Sequence, residues 1–562
     1  MKTISKLPIA GAIALALAGA TACSDFLDEQ SMVAFTEETA YGDLSSVAVV
    51  VDGIYRTFAN DTRGGDAGFL VQLGSDESQQ GAGQFGGADD PGQPGYDRYE
   101  GLIATSSRNS NFWKKHWQVI VPAAKVLALL PQFESENPEA ARRLMGEAHF
   151  FRGLATFYLT MYWGRVPIVD ITSEATVSGG GRQALPDVWD YVFRDLQYAA
   201  DNLPDDNTDD PKRATSGAAW AMLGKAYMSA PEETGLRNFT KAKECFEKIM
   251  DGRYTLLPQF SALFLNDNKE IPYIPNSKES IFEIQYNNTD LYNRYMWEFG
   301  TRAATEYLDL EGPDPTIKVN DGAYIAGYDL HIPTAYTRND TEGNNPMGEP
   351  KDQIGVPGIW EAGDQRREVS LRYDLSWRGQ SPKPSGWSGA TDETWPHVRK
   401  YEDYRTDKYC DLPDASPIRR TFQSGKNFPM IRYADILLLY AECLNELGDG
   451  GNAVKYVNDV RNRAFGGAQP AGLAWSAMSQ DEFREKIMDE RSRELCFESW
   501  RRVDLIRTGQ ITRRVCKYNR WAKAQWGEAG FPAARILYPI PQDEINSNDD
   551  IASDPEAQNP GY

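Results

Sequence analysis

Histidine is scarce in this chain, and its scarcity excludes much chemistry. Four occur in 562 residues. They are His116, His149, His331 and His397, far apart and without the spacing that would aim two ring nitrogens at one metal ion. There is no H-E-x-x-H, no G-x-S-x-G and no G-x-x-x-x-G-K-[ST], so zinc-protease, serine-hydrolase and P-loop chemistry have no footing. Cysteine is sparse too. Cys23 aside, the chain has Cys245, Cys410, Cys443, Cys496 and Cys516, an odd set without a C-x-x-C pair, which suggests neither a disulfide framework nor a zinc site. Cys443 falls on an apolar helical stripe and reads as core. Positive charge is also short. With 59 Lys and Arg against 81 Asp and Glu, the formal net charge is −22. Nucleic-acid phosphates repel such a chain, and no basic run offsets this, so nucleic acid is not an expected partner. Beyond the first 22 residues, no apolar run reaches the roughly 20 residues of a membrane-spanning helix.

What is present begins at the N-terminus. Lys2 and Lys6 precede an apolar stretch from Leu7 to Ala22 that is rich in Ala and Gly, the pattern of a secretory signal over residues 1–22. Its end, Leu17-Ala18-Gly19-Ala20-Thr21-Ala22-Cys23, resembles a bacterial lipobox, in which the cysteine thiol carries a diacylglycerol and becomes the mature N-terminus. Each buried methylene contributes about 0.8 kcal/mol, so two or more acyl chains hold a water-soluble domain on a bilayer.

Helical periodicity follows. Val47, Val50, Val51, Ile54, Tyr55 and Phe58 share one face, as do Phe150, Leu154, Phe157, Tyr158 and Met161. Ile436, Leu439, Tyr440, Cys443, Leu444 and Leu447 form a third stripe, stopped by Gly448. A helix beginning near Trp113 should be kinked or split by Pro122. Trp220-x-x-Leu223-Gly224-x-x-Tyr227, followed by Ala242-x-x-x-Phe246, is a degenerate tetratricopeptide pattern. Residues 139–163 with 187–203, and 433–447 with 450–464, read as further helix pairs that must stack to bury their apolar faces. Residues 61–111 and 256–430 are loop-rich, with strand-like pieces such as 280–286, and loops of this length tend to carry function. The fold class expected is therefore mainly α, a tetratricopeptide-like helix-pair scaffold (about 36–60, 112–255 and 430–562) with long aromatic-rich loops and a few short strands. Gly81-x-Gly83-x-x-Gly86 formally matches a dinucleotide fingerprint, but Asp89-Asp90-Pro91-Gly92 behind it cannot open the required helix. A carboxylate pair for glycoside hydrolysis needs only two of the many acidic residues, so a surface glycoside hydrolase stays open as the alternative function.

Several blocks occur in a telling order: Cys23-Ser-Asp-Phe-Leu-Asp28, GEAHFFRGLATFYLTMYWGRVP at 146–167, LPDVWDYVFRDLQYAADNLP at 185–204, IRYADILLLYAECLNELG at 431–448, VNDVRNRA at 457–464 and DERSRELCFESWRRVDLIRTG at 489–509. YPIPQDEINSN and the terminal QNPGY at 558–562 close the series. In these blocks the chain resembles the SusD/RagB family of Bacteroidetes outer-membrane nutrient-binding lipoproteins. The resemblance implies one SusD-like domain over 23–562, a lipid anchor at Cys23, exposure on the outer membrane and no catalysis. It also implies a partner, a TonB-dependent SusC-like β-barrel transporter over which the lipoprotein sits as a lid, and a nutrient ligand, expected to be an oligo- or polysaccharide. No cofactor is implied; the acidity leaves room for a structural calcium, with no EF-hand loop to assign it to.

Sugar sites combine aromatic platforms with planar polar side chains. Tyr292, Tyr295, Trp297, Trp360, Trp377, Trp387 and Trp395 lie among Gly, Pro, Asn and Asp and are the candidate platforms, with Trp377 and Trp387 the sharpest. Asp76 and Glu77 resemble a recurrent family element near the ligand face. Arg491, Arg493, Glu494, Arg501 and Asp504 are expected to pair internally and lock the C-terminal helices.

Overall fold

The structure, a computed structural model, describes residues 42–62, 73–82, 94–170, 180–207, 210–266, 270–287, 289–302, 327–344, 355–373, 375, 391–403 and 423–562. The signal segment, Cys23, Cys410, Trp377 and Trp387 lie outside the described residues. Residues 1–49 and 50–562 are separate units.

Helices dominate. In chain order they are α1 (Leu44–Thr62), α2 (Ser107–Leu129), α3 (Pro138–Trp163), α4 (Leu185–Asn202), α5 (Ser216–Ser229), α6 (Phe239–Glu247), α7 (Tyr433–Glu446), α8 (Gly450–Ala464), α9 (Gln480–Leu495), α10 (Arg501–Arg507), α11 (Ile511–Tyr518) and α12 (Arg520–Trp526). Consecutive helices from α2 to α6 pack each on the next, α6 packs on α7, and α7 packs on both α8 and α9. The stack therefore continues across the long excursion between α6 and α7. Local chemistry sets its boundaries. Asn137 caps α3 by accepting from Ala140 N at 3.1 Å, with Pro138 in the first turn, and Gly164 ends the helix at φ +73°. The centre of α3 is buried on all sides, including Leu154 and Phe157, and each such side chain contributes about 1.5–3 kcal/mol through burial.

Glycine permits the tightest helix pairing. A Cβ on Gly224 of α5 would sit 2.4 Å from the Phe246 ring of α6, so only hydrogen fits where the two helices interlock. This is the small-against-aromatic contact of the tetratricopeptide pattern. Phe193 of α4 stacks on Tyr227 of α5 at 4.4 Å, extending the interlock by one helix.

Pro122 does not break its helix. α2 runs without interruption from Ser107 to Leu129, and Ser106 caps it by accepting from Asn109 N. A proline forfeits one backbone hydrogen bond, but Val119, Ile120, Ala123, Ala124 and Val126 around it are buried, and α2 packs along α3. That packing outweighs the lost bond.

The strands among the described residues form three two-stranded antiparallel sheets. β1 (Ser78–Gln79) pairs with β3 (Ile332–Pro333), β2 (Ser280–Ile284) with β6 (Phe428–Arg432), and β4 (Leu371–Arg372) with β5 (His397–Val398). Buried charge ties these pieces to the helices. Glu494 of α9 meets Arg432 of β6 at 2.9 Å, Arg463 of α8 at 2.5 Å and Arg366 at 3.1 Å. Glu490, one turn earlier, takes Arg366, Arg461 and Arg493 at 2.7–2.9 Å. Asp504 holds Arg491 and Arg507, both at 2.8 Å. Burial would raise the Glu490 carboxyl, but Arg366, Arg493 and Arg461 outweigh it and hold the group down at about 2.

Candidate functional site

Between β2 and β6 the chain builds a small platform from local rules. Asn287 Oδ1 accepts from the backbone N–H groups of Thr289, Asp290 and Leu291 at 2.8–3.2 Å, closing a turn. Asp290 then pairs with Arg56 of α1 at 2.9 Å, and Asn293 exchanges backbone hydrogen bonds with Ser424 at 2.9 and 3.1 Å. A single helical turn follows, Tyr295–Phe299. Tyr295 and Phe299 point inward, each within 4.7–5.2 Å of the Tyr401 ring, with Tyr295 also against Phe428.

Trp297 is the half-buried member of this turn. Its ring lies 5.5 Å from that of Tyr328, also half-buried, at 59°. Gly327 makes the pairing possible: a Cβ there would stand 2.5 Å from Met296 O, so no other residue lets the two segments lie this close. Tyr328 N donates to Trp297 O at 2.9 Å, and Asp329 N to Gly300 O at 2.9 Å. Arg302 rests over the Tyr328 ring at 5.4 Å and Arg294 over Tyr292 at 5.8 Å. The result is one aromatic pair, Trp297–Tyr328, with Arg302 beside it, and one further ring, Tyr292, with Arg294, on a backing of packed rings.

The other aromatic candidates turn inward. Trp360 is fully buried, and its indole N–H donates to Thr337 O at 2.5 Å. Trp395 is buried between the guanidinium groups of Arg338 and Arg520, 4.3 and 5.2 Å from its ring. Tyr295 is part of the backing, and Tyr292 alone of the remaining candidates stays half-buried. Asp76 and Glu77 are struts, being buried. Both Asp76 oxygens take Arg501 at 2.6 Å, and Arg514 adds a contact at 2.8 Å. Burial raises Asp76, yet Arg501 and Arg514 prevail and hold it at about 2. Glu77 accepts from Ser492 at 2.5 Å and from Phe497 N at 3.3 Å, and burial, with Asp76 beside it, pushes it up to about 7. None of these five buried side chains can meet a ligand without being uncovered. Tyr328 is the residue that sequence reasoning missed; Gly327 beside it was the available signal.

Burial lowers His116 to about 4 and His331 to about 3, so both are neutral at pH 7. Among the described residues no group of three or more His, Cys, Asp or Glu could hold a metal ion. A partly open cavity of about 50 Å³ lined by Phe58, Phe112, Val119, Tyr158, Ile284 and Phe428 has room for a few waters only.

Residues 278–562, just over half of the chain and the part that carries the platform, match the model of the SusD family. The chain belongs to that family. A second model, described as starch-binding associating with outer membrane, matches residues 96–228. Among curated relatives, the SusD-like protein P25 of Formosa agariphila is 26% identical, over 96% of this chain and 96% of its own. The starch-binding protein SusD of Bacteroides thetaiotaomicron is 24% identical over 77% of this chain and 75% of its own. The solved structure of surface glycan-binding protein A from Bacteroides thetaiotaomicron in complex with laminarihexaose superposes with a TM-score of 0.65. It covers 90% of this chain and 98% of its own at 16% identity, a likeness that establishes the fold. This member of the SusD family thus carries the half-buried Tyr292, Trp297 and Tyr328 on the excursion between α6 and α7, backed by the rings of Tyr295, Phe299, Tyr401 and Phe428.

Proposed function

We propose that this chain is a non-catalytic surface lipoprotein, anchored to the outer membrane through Cys23, that binds an oligo- or polysaccharide and passes it to a TonB-dependent SusC-like barrel. The observation that carries the reading is the Trp297–Tyr328 pair, presented half-buried on a rigid backing within the span that places the chain in the SusD family. Apolar C–H faces of a sugar stack on such rings at little rotamer cost, and guanidinium groups of the kind beside them give planar donors for hydroxyls. Two relatives support the ligand class by name, one described as starch-binding and the other solved with laminarihexaose. Holding a ligand above a pore needs no reaction, in keeping with a sequence that offers no catalytic motif.

Calorimetric titration of the mature protein with starch and laminarin oligosaccharides tests the reading. Replacing Trp297 and Tyr328 together by Ala should weaken affinity about tenfold or more, since two stacking contacts contribute on the order of 1–3 kcal/mol. Trp360→Phe, which alters a buried indole, should leave affinity alone. Equal affinity in the double variant refutes the platform. Mass analysis after long incubation should return intact sugar; cleavage products would establish the glycoside hydrolase instead.

A further inference from the structure

Behind Tyr328 stands Asp329, a non-glycine residue held at φ +53°. Such a conformation is uncommon outside glycine and persists only where surroundings over-determine it. Here they do. Asp329 N donates to Gly300 O, and its own carbonyl accepts from Gly81 N at 3.0 Å. Oδ2 accepts from Arg302 N at 2.9 Å, and Oδ1 lies 2.5 Å from His397 Nε2. One buried residue thus joins the ends of three segments: 81, 300–302 and β5.

The hydrogen bonds of His397 fix a proton count. Its Nδ1 is 2.6 Å from Trp395 O. A carbonyl oxygen only accepts, so Nδ1 carries a hydrogen. The 2.5 Å contact between Nε2 and Oδ1 needs a second hydrogen, because two bare lone pairs at that distance repel. A neutral imidazole facing a carboxylate supplies one hydrogen in total, and this pair needs two. The pair therefore holds one proton more than its free components, either as imidazolium with carboxylate or as imidazole with carboxylic acid; the count belongs to the pair.

We propose that His397 and Asp329 are positioning residues for the ligand platform, and that their shared extra proton keeps Tyr328 and Arg302 in place. The inference rests on the glycan-binding reading for its consequence. Burial pushes the Asp329 carboxyl up, and the neighbouring Asp392 adds to this while His397 opposes it, the direction in which a pair retains a proton. The charged groups around the pair include Asp392 with its ion-pair partner Arg520, Arg302, the Arg372–Glu402 ion pair, whose Arg372 faces His397 in the β4–β5 register, and Arg338 over Trp395. When the proton leaves, one of two buried contacts becomes a repulsion. Asp329 then keeps only three of the four contacts that hold its strained conformation, and the hold on the Tyr328 and Arg302 backbones attached to it weakens. The sign is fixed: the folded state binds the extra proton, so order at the platform is present at lower pH and lost as pH rises through release.

Asp329→Asn separates this role from a merely structural one. The Asn amide donates to Nε2 of a neutral His397 and its oxygen still accepts from Arg302 N, so both hydrogens are present at every pH. Asn also tolerates a positive φ. Affinity for laminarihexaose and for a starch oligosaccharide is measured on the mature protein from about pH 5 to about pH 9, a range that brackets the free imidazole. Wild type should lose affinity about tenfold as pH rises, the cost of one buried hydrogen bond left unmade. The Asn variant should keep the low-pH affinity throughout. Ring ¹⁵N shifts of His397, assigned by comparison with His397→Gln, should change over the same range as the hydrogen between Nε2 and Oδ1 is lost, whichever atom carries it, and the Trp297 indole signal should move with them in wild type only. Identical pH profiles in wild type and variant, or a Trp297 signal indifferent to the His397 titration, overturn the proposal. Failure of every glycan to bind sinks the functional reading alone, because the two spectroscopic signals still decide whether the platform follows the proton.

Discussion

Adding one methyl group at two glycines should move stability in opposite directions. In α5, a Cβ on Gly224 would lie 2.4, 2.8 and 2.9 Å from three atoms of the Phe246 ring. Ordinary contact begins near 3.4 Å, so the ring or the helix must yield by about 1 Å. Phe246 is fully buried, and overpacking of this kind costs about 1–3 kcal/mol. Alanine regains about 1 kcal/mol of helix propensity, leaving a net loss of up to about 2 kcal/mol. Gly53 of α1 is the control: it is exposed, and no atom lies within 4 Å of its added Cβ. Gly53→Ala should therefore gain about 0.5–1 kcal/mol. Urea unfolding of the mature protein, followed by tryptophan fluorescence, reads both as opposite shifts of the midpoint at constant slope. Shortening the ring should reveal the coupling: Gly224→Ala with Phe246→Leu should cost less than the sum of the single variants. If Gly224→Ala equals or exceeds wild type, or if the two substitutions simply add, the interlock is not what limits the approach of α5 and α6.

Two further outcomes follow from charge and tethering. Glu77, raised to about 7 by burial, contributes stability below the unfolded carboxylate range that is lost as pH rises through about 7. Glu77→Gln should therefore match wild type near pH 4 and be the more stable protein near pH 8, as urea midpoints at both values will show; a variant that falls with wild type removes Glu77 from the cause. Cys23→Ala should free the protein from the membrane or leave it unprocessed with its folded domain intact, and unchanged surface anchoring in a cell fractionation rules the lipobox out.

The scaffold was legible because its signals are local. The stripe of Val51, Ile54 and Phe58 and the pairing of Gly224 with Phe246 lie within one helix or two adjacent ones, where period and spacing determine what meets what. Pro122 does not split its helix, because the opposing term, packing of α2 on α3, comes from another part of the chain. The platform was half legible. Aromatics among Gly and Pro pointed to the right excursion, but which rings stay near the surface depends on partners far away in sequence. Trp395 is covered by Arg338 and Arg520, and Asp76 is claimed by Arg501, 425 residues on. Nothing near Trp360 or Asp76 announces those partners. Tyr328 was missed for the same reason: its place beside Trp297 depends on a backbone approach that only Gly327 permits.

The buried arginine–carboxylate lattice has a consequence for how the molecule comes apart. Glu494 reaches Arg463 at 31 positions, Arg432 at 62 and Arg366 at 128, so its partners assemble only when distant segments have met. Until then these charges face water and keep the chain soluble. Once closed, the lattice cannot open in part, because peeling β6 or the Arg366 segment from α9 strands a bare charge in the interior at a cost of several kcal/mol. The excursion that carries the platform should thus unfold together with the C-terminal helices rather than before them. Loops that look like additions to a scaffold are, in cooperativity, part of its core.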